Sequence, residues 1–378
     1  MTGIQPTILH VIDTTGPGGA ETIFLNLAAA IQVEGHAPLA MIQGPGWVQT
    51  QLEKLQIPFV ILAPTGFLSM PYYWAVFKLL KHHNVKLVQA HLLGSALTFA
   101  ILNRLTGIPV VATLHGQVDV HLNERFMVVK HWLLKKGLEK VVSVSDHLAD
   151  NLADRKLFNR EKIVVIHNGI EVEKYKVANT GRLKKALNLP DQAKLVGSIG
   201  NIRPAKDYPN LIRAAVLVLK ENKDIHFLIA GHAKEPLQSE LTSLAIDLGI
   251  QNNIHFLGFL DDTAEFLAQL DVFALTSVSE GFSIATLEAM AAKVPIIVTR
   301  CGGPEEILRH QVDGLIVERG CPWQLSNGIS RLVANSNCDF TANAYAKVTG
   351  KFNIQTLVLS YRALVTDILH ETRATKLS

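Results

Sequence analysis

The sequence has few of the features that mark several common protein classes. Among its 378 residues are only three cysteines, Cys301, Cys321 and Cys338. They are odd in number and lie too far apart for a zinc knuckle, so they fit a reducing compartment better than a disulfide framework. The net charge is only +3, which gives no general case for nucleic-acid binding. Charged residues make up 18% of the chain against 48% hydrophobic residues, which excludes a disordered chain.

Targeting and membrane-spanning signals are also missing. The first residues, MTGIQPTILHVID, do not combine a basic start with a long apolar run, so no secretory signal is predicted. No stretch reaches about 18 uncharged apolar residues, so no membrane-spanning helix is predicted. A cytoplasmic location is therefore expected.

One stretch, ERFMVVKHWLLKKGLEK at residues 124–140, mixes lysines with large apolar side chains. It fits a basic amphipathic helix that rests on anionic lipid, which would place the protein peripherally on the inner face of the membrane. It fits equally a helix on a domain surface whose lysines snorkel along their apolar neighbours. The residues concerned are Lys130, Lys135 and Lys136 with Phe126, Trp132 and Leu133.

Short aliphatic runs such as TILHVID, KLVQAH and KLVGSIG alternate with helical patterns almost from end to end. Continuously apolar strands that alternate with helices predict parallel sheets covered on both faces. At about 100 to 200 residues per domain, the length predicts two domains. We therefore predict an α/β protein with two doubly wound, Rossmann-like domains, whose strand-end loops line one cleft if the domains face each other. The predicted domains are residues 1–180 and 181–353, divided within a polar segment, followed by a helical segment at 354–378.

Two predicted strand ends in the first domain carry residues of interest. TTGPGGAE follows the first strand, and its glycines, Gly18 and Gly19 among them, allow backbone amides near a helix N-terminus to approach an anion. The loop matches neither a P-loop nor a dinucleotide fingerprint, and a plain strand-to-helix turn explains it equally well. His115 ends the fifth strand, where a structural role and a role in a binding cleft are both open.

The second domain opens with SIGNIRPAKDYPNLIRAA. Arg203 and Lys206 lie in its loop, before a helix that starts near Pro209. Two cations beside a helix N-terminus form a suitable clamp for a diphosphate, although solvated surface charge explains them equally well.

Two glutamates flank a Gly-Phe-Ser turn in SEGFSIATLEAM. Ser283 is a predicted N-cap, and Glu288 falls on the apolar side of the helix that follows. A carboxylate in that position needs hydrogen-bonding partners, which the vicinal hydroxyls of a ribose could supply. Glu280, before the turn, could accept hydrogen bonds from the hydroxyls of a second sugar. A structural salt bridge for Glu288 and an exposed Glu280 are the alternative.

Taken together, these segments resemble the retaining glycosyltransferases of GT-B family 4, the glycogen-synthase-like and sucrose-synthase-like group. The resemblance covers nearly the whole chain, and the glutamate pair around its turn is the most specific single motif. The matching segments are GGAE at 18–21, VIHNGI at 165–170, GNIRPAKDYPNLIRA at 200–214, HFLGF at 255–259, SEGFSIATLEA at 279–289, and GGPEEIL with DGLIV within 302–317.

The resemblance implies roles in both halves of the chain. In the first half, Gly18 and Gly19 would border the donor phosphate and the acceptor, and His115 would contact the transferred sugar. In the second half, Lys206 and its neighbour Arg203 would hold the diphosphate. Many family members have arginine directly after the loop glycine, whereas this chain has Asn201 there.

The remaining implied contacts also belong to the donor. Glu280 would bind the sugar with help from the turn that contains Gly281, Phe282 and Ser283. Glu288 would bind the ribose. The backbone near Gly258 and Phe259 would contact the base, and residues 354–370 would cross back onto the first domain.

The activity implied is transfer of a hexose-type sugar, with retention, from a nucleotide-diphosphate sugar to a saccharide or lipid-linked acceptor in polysaccharide or cell-envelope glycan synthesis. A uridine donor is the commonest expectation, and no cofactor, metal or nucleic-acid partner is implied. Two alternatives remain from the residues alone: a sugar-nucleotide epimerase on the same scaffold, and a two-domain protein that binds a sugar nucleotide without chemistry. A nicotinamide dehydrogenase fits poorly because the glycine spacing is missing.

Overall fold

The computed structural model describes residues 5–31, 35–66, 69–116, 127–233, 235–334 and 338–377. The chain divides into two compact units. Unit 1 comprises Met1–Asn168 with Gln355–Ser378, and unit 2 comprises Gly169–Ile354. The first division precedes the predicted boundary after residue 180, because residues before that boundary pack within unit 2, as Tyr175 does through its hydrogen bond to Glu288.

Unit 1 contains a seven-stranded parallel sheet with strand order β3-β2-β1-β4-β5-β6-β7. Its strands coincide with the aliphatic runs of the sequence, and β1 is buried along its whole length. A strand needs no polar face when helices cover both sides of the sheet, which explains the continuous apolar pattern. The strands are β1 (Thr7–Ile12), β2 (Ala37–Ile42), β3 (Phe59–Ile61), β4 (Val85–His91), β5 (Val110–Leu114), β6 (Lys140–Ser143) and β7 (Ile163–Val165).

Helices connect these strands in the described part of unit 1. The central α4 packs against α3 and α5 as well as against β4 and β5. A Cβ at Gly137 would overlap the backbone of Ala100, so the glycine allows α4 and α5 to approach closely. The helices are α1 (Gly19–Ala30), α2 (Trp47–Lys54), α3 (Met70–His82), α4 (Leu93–Thr106), α5 (Met127–Gly137) and α6 (Asp146–Asp154).

The last helix, at Ile354–Leu377, returns to unit 1 from Gln355 onward. Tyr361 is fully buried, and its hydroxyl lies 3.0 Å from the Thr113 hydroxyl on β5. This bond satisfies two buried polar groups and fixes the helix against the sheet.

Unit 2 contains a six-stranded parallel sheet with strand order β10-β9-β8-β11-β12-β13. Its core includes apolar residues of β8 and β9 and of the helix at 208–221. The two parallel, doubly wound sheets confirm the predicted fold class. The strands are β8 (Lys194–Ile199), β9 (Ile225–Ala230), β10 (Ile254–Gly258), β11 (Val272–Leu275), β12 (Ile296–Thr299) and β13 (Leu315–Val317).

The helices of unit 2 mostly follow the βα alternation read from the sequence. Two of them begin where the sequence predicts. The helix Tyr208–Glu221 has a proline in its first turn, and Ser283 caps the helix Ile284–Ala291. The helices are α7 (Arg182–Ala186), α8 (Tyr208–Glu221), α9 (Leu237–Asp247), α10 (Thr263–Leu267), α11 (Ile284–Ala291), α12 (Pro304–Ile307), α13 (Pro322–Ala334) and α14 (Cys338–Lys351), and α15 is the last helix, Ile354–Leu377. None of the helices in the described ranges is long and apolar enough to cross a bilayer.

Each sheet reverses its strand order once. In unit 1 the reversal lies between β1 and β4, and in unit 2 it lies between β8 and β11. Ligands of doubly wound sheets bind beyond the carboxyl ends of the strands at such a point. The loops that follow β8 and β11, residues 200–207 and 276–283, are therefore where unit 2 is expected to bind a ligand.

Candidate functional site

A nearly buried ion pair lies at the strand reversal of unit 2. The Lys206 ammonium is 2.7 Å from Glu280 Oε1, and the two side chains are only 11% and 16% exposed. The Ser277 hydroxyl donates to the same oxygen at 2.6 Å. Burial acts to raise the pKa of Glu280, but the Lys206 charge and the hydrogen bonds from Lys206 and Ser277 outweigh it, so the pKa is lowered. Glu280 is therefore an anion whose charge is already partly balanced.

The loop after β8 fixes the position of Lys206. The Tyr208 hydroxyl donates to the Gly200 carbonyl at 2.7 Å, and the Thr276 hydroxyl donates to the Lys206 carbonyl at 2.8 Å. A Cβ at Gly200 would lie 2.5 Å from Cε of Lys206, so glycine leaves the path that the lysine side chain needs. The ammonium is thus held at the end of a rigid loop, as a preorganised charge requires.

The Gly-Phe-Ser turn is held by the loop after β12. The Glu280 amide donates to the Cys301 carbonyl at 3.2 Å, and the Gly303 amide donates to the Glu280 carbonyl at 3.2 Å. A Cβ at Gly303 would lie 2.5 Å from the Gly281 carbonyl oxygen. The Ser283 hydroxyl then accepts from the Thr286 amide, which confirms the predicted N-cap of α11.

Glu288 lies on α11, and its Oε1 accepts a hydrogen bond from the Tyr175 hydroxyl at 2.7 Å. Burial raises the pKa of Glu288, while hydrogen bonds from Tyr175 and Thr263 and the charge of Lys174 oppose that rise. Among the described residues, no cation forms a salt bridge with Glu288. The bonding partners found are hydroxyl groups, so the salt-bridge interpretation has no support in this part of the chain.

The loops after β9 and β10 complete this edge of the sheet. The Gly231 amide donates to the Gly258 carbonyl at 2.7 Å, and Gly258 has a φ of +70°. Phe259 stacks on the His232 ring, with centroids 4.8 Å apart and planes 4° from parallel. A flat aromatic surface therefore lies where the sequence predicts the contact with the base.

Arg203 and Asn201 differ in what they contribute. Arg203 is exposed, and its charge contributes to the lowered pKa of Glu280. Asn201 stands where the family resemblance predicts arginine, and its Oδ1 accepts from the His232 amide at 3.0 Å. The asparagine thus joins the loops after β8 and β9. Of the two predicted diphosphate-binding cations, Arg203 is exposed to solvent and Lys206 is buried.

In unit 1, Gly18 is the N-cap of α1 and Gly19 its first residue. The Thr22 amide and hydroxyl both bond to the Gly18 carbonyl, at 3.0 and 2.9 Å. His115 follows β5, and its Nε2 lies 3.0 Å from Nδ1 of His91. The structure therefore places these predicted residues after β1 and β5, within unit 1.

A group of buried histidines surrounds this part of unit 1. His10 and Gln89 pair in register on β1 and β4, and both are fully buried. Within the described chain, neither side chain has a hydrogen-bond partner. Burial lowers the pKa of His10 and of His115 to about 4 each. The pKa of His91 is lowered too, first by burial and then by the charges of His115 and His10.

These shifts predict an acid-sensitive unit 1. Between pH 6.5 and 4 the unfolded chain binds protons that the folded histidines do not, so the free energy of unfolding falls as the pH falls. Each of His10 and His115 would lower it by on the order of 3 kcal/mol at the acid end. Urea unfolding measured at several pH values from 7.5 to 5 checks this, and His10→Leu should flatten the profile. An unchanged slope in His10→Leu would show that His10 does not titrate as described.

Several residues of the unit 2 site were missed by the sequence analysis. Tyr208 lies within a recognised motif and Ser277 lies two residues before another, but their hydrogen bonds depend on how the loops fold. Tyr175 lies in the polar segment that was interpreted as a domain boundary. Gly303 is part of the GGPEEIL match, and its tight contact with Gly281 is visible only in three dimensions.

Comparison with known proteins places both units in one group. The family model described as Glycosyltransferase Family 4 matches residues 17–174, and the model described as Glycosyl transferases group 1 matches residues 179–348. N-acetyl-alpha-D-glucosaminyl L-malate synthase of Bacillus anthracis is 27% identical over 280 residues, 71% of each chain. UDP-Gal:alpha-D-GlcNAc-diphosphoundecaprenol alpha-1,3-galactosyltransferase of Escherichia coli is 26% identical over 306 residues, 78% of this chain and 79% of that one.

Solved structures agree on the fold. Anabaena HepE in complex with UDP-glucose matches with a TM-score of 0.87 and 23% identity, over 96% of this chain and 99% of that one. Sucrose-phosphate synthase of Thermosynechococcus elongatus matches with a TM-score of 0.78 and 16% identity, over 97% and 100%. The GT-B fold is thus shared, and the chain belongs to the group 1 glycosyltransferases of glycosyltransferase family 4.

Proposed function

We propose that the protein transfers a hexose-type sugar from a UDP-sugar to a saccharide or lipid-linked acceptor, with retention of the anomeric configuration. The observation that carries this proposal is the Lys206–Glu280 pair at the strand reversal of unit 2, with Glu288 on the helix that follows. A cation for a diphosphate, a carboxylate for sugar hydroxyls and a carboxylate for a ribose are the groups that such a donor needs. Synthesis of polysaccharide or cell-envelope glycan is the proposed setting.

The chemistry assigned to unit 2 is stabilisation of a leaving diphosphate. When the anomeric C–O bond breaks, negative charge develops on the phosphate oxygens. Lys206 has three N–H donors and gives one to Glu280, so two remain for phosphate oxygens. Arg203 adds a second cation, which can form forked hydrogen bonds. Charges fixed before the reaction stabilise such a transition state with little reorganisation.

We propose retention without a covalent enzyme intermediate, and the contacts of Glu280 support this. Lys206 and Ser277 already bond to its Oε1, so it is suited to holding sugar hydroxyls rather than to attacking the anomeric carbon. We propose that the acceptor oxygen approaches the face from which the diphosphate departs, and that a phosphate oxygen takes the acceptor proton. Lys206 and Arg203 supply the positive charge, so no metal is assigned to the reaction.

Two of the similar proteins support the choice of substrates. HepE was crystallised with UDP-glucose, and the Escherichia coli relative uses UDP-galactose and a diphosphoundecaprenol-linked acceptor. We propose a uridine donor and a saccharide or lipid-linked acceptor for this chain on that basis. Gly18, Gly19 and His115 of unit 1 are proposed to contact the acceptor and the transferred sugar.

A thermal-shift screen against UDP-, GDP- and ADP-sugars tests the donor, because a ligand that binds only the folded state raises the melting temperature. Donors that bind are then assayed with and without saccharide and lipid-linked acceptors, and the anomeric configuration of the product is read by NMR. The proposal expects UDP-sugars to bind and a retained anomer to form. Conversion of the donor without acceptor would favour an epimerase, and tight binding with no turnover would favour a binding protein.

Peripheral contact with an anionic membrane is part of the proposal. On α3, Met70 and Trp74 are 74% and 59% exposed, and the Lys78 ammonium lies 5.3 Å from the Trp74 ring centre. On α5, Val128 and Trp132 are 84% and 53% exposed.

Cations surround these apolar side chains. Arg104 of α4 lies over the Trp132 ring at 5.5 Å, and α4 packs against both other helices. The chain has no acidic residue between Glu53 and Asp119, and α5 has none either. Exposed tryptophans with lysines and no carboxylates complement anionic lipid. Phe126, which the sequence analysis added to this surface, lies outside the described residues.

Vesicle co-sedimentation checks the contact. The protein should bind vesicles rich in phosphatidylglycerol at low salt, and binding should weaken as salt is added. Trp74→Ala with Trp132→Ala should lower vesicle affinity by about 100-fold, since burying each large apolar side chain is worth ~1.5–3 kcal/mol. Trp323→Ala, at a 64% exposed tryptophan of unit 2, is the matched control and should bind as the wild type does. Equal binding by the double variant and the wild type would remove the proposed surface.

A further inference from the structure

Tyr175 and Glu288 come together although they lie 113 residues apart in the chain. Tyr175 ends a short 3-10 turn, Val172–Tyr175, in the segment before β8. Its side chain is only 6% exposed. The turn packs against α10 and α11 of unit 2, and the phenol hydroxyl donates to Glu288 Oε1 at 2.7 Å.

Thr263, the first residue of α10, joins the same contact. Its side chain works against the rise in the pKa of both Glu288 and Tyr175. Asp262 caps α10 by accepting from the Ala264 and Glu265 amides, which fixes the start of the helix. Glu288 is therefore held by the Tyr175 hydroxyl, beside the capped start of α10.

Hydroxyl partners hold a carboxylate in a different way from a cation. A lysine or arginine would balance the charge of Glu288 and compete with a ligand for its oxygens. A tyrosine hydroxyl orients one oxygen and leaves the negative charge in place, so the other acceptor positions keep their strength toward hydroxyl donors. Burial raises the pKa of Glu288, and the Tyr175 bond works against that rise. Removing the hydroxyl would thus both free the side chain to rotate and favour its protonated form.

We propose that Tyr175 is a positioning residue, which holds Glu288 so that its remaining acceptor sites meet the vicinal hydroxyls of the ribose in the nucleotide donor. The inference rests on the proposed function, because it takes Glu288 to bind the ribose. Through Glu288, Tyr175 would favour nucleotides that carry ribose hydroxyls over nucleotides that lack them. The phosphate-binding residues do not make this distinction. A merely structural tyrosine would influence all nucleotides alike.

Isothermal titration with UDP and with 2′,3′-dideoxy-UDP separates these roles. Tyr175→Phe keeps the ring and removes only the hydroxyl. We expect the wild type to bind UDP more tightly than the dideoxy nucleotide. Tyr175→Phe should weaken UDP binding by about tenfold and leave the dideoxy affinity unchanged, since a Glu288 that is no longer held in place loses about one charge-assisted hydrogen bond to the ribose. Glu288→Gln should do the same. Tyr73→Phe, which removes a hydroxyl from α3 of unit 1, is the control and should change neither affinity.

The pH dependence gives a second readout. In Tyr175→Phe, UDP affinity should decline on acidification at a higher pH than in the wild type, because Glu288 is then more easily protonated. If Tyr175→Phe lost affinity equally for UDP and for the dideoxy nucleotide, Tyr175 would be structural and the inference would be overturned. It would also be overturned if Glu288→Gln weakened UDP binding and Tyr175→Phe did not. A wild type that binds both nucleotides equally, with Glu288→Gln silent, would instead overturn the ribose assignment of Glu288 itself.

Discussion

Lys206→Ala is expected to lower turnover of the nucleotide-sugar donor by about 100-fold. In the proposed reaction, Lys206 is the most buried cation near the departing diphosphate, and loss of one preorganised donor to a developing charge costs roughly 10²–10³ in rate. The effect should fall on the rate constant for turnover more than on the affinity for UDP, because the charge on the phosphate grows as the bond breaks. Steady-state kinetics at saturating donor measure it.

The variant also leaves Glu280 without its cation, so stability has to be followed in parallel. Removing one partner of a buried pair can cost about 3–5 kcal/mol. Lys206→Ala combined with Glu280→Gln removes the unpaired charge and should recover part of the melting temperature without recovering turnover. Lys194→Ala is the matched control, since Lys194 pairs with Asp271 at 2.8 Å where β8 begins, at the other end of the strand. Near-wild-type turnover in a folded Lys206→Ala protein would contradict the role assigned to Lys206.

Gly303→Ala is expected to disrupt the turn that carries Glu280. A Cβ at this position would lie 2.5 Å from the Gly281 carbonyl oxygen and 2.8 Å from Cα of Phe282. Both are backbone atoms, so no side-chain rotation relieves the overlap. Overpacking of this kind costs about 1–3 kcal/mol, and a shifted turn would also move Glu280 away from the sugar. Chemical denaturation and donor titration should both show the loss.

Gly350→Ala provides the control for this change. Gly350 lies within α14, and a Cβ there would meet nothing within 4 Å. Alanine in place of glycine in a helix is expected to be neutral or to stabilise by about 0.5–1 kcal/mol. If Gly303→Ala were as stable as Gly350→Ala and bound donor normally, the close packing of the two loops would not matter to the site.

The fold could be predicted from the sequence because the signal is repeated along the chain. Strands buried on both faces are apolar at every position, as β1 and β9 show, and each is followed by a helical pattern. The boundary between the two domains was predicted within the segment before β8, because the polarity of that segment resembles a linker. That segment belongs with unit 2 through contacts such as Tyr175 with Glu288, which join distant parts of the chain.

The places of some predicted site residues in the fold could be derived from the sequence because they follow from the ends of strands, while the roles of these residues stay predictions. Lys206 and Glu280 each follow a strand beside the reversal of strand order, and parallel strands bring such loops to one edge. The ion pair between them could not be predicted, since it depends on how two loops fold. The sequence analysis noted that Asn201 replaces the arginine that the family resemblance predicts. Its bond to the His232 amide could not be predicted from the sequence.

A crystal structure of the protein with a bound, slowly hydrolysed UDP-sugar analogue tests the central claim most directly. The account predicts that the diphosphate lies within hydrogen-bond distance of Lys206, with the sugar hydroxyls on Glu280 and the ribose hydroxyls on Glu288. A diphosphate bound elsewhere, with the Lys206–Glu280 pair unchanged and out of contact with the ligand, would contradict it.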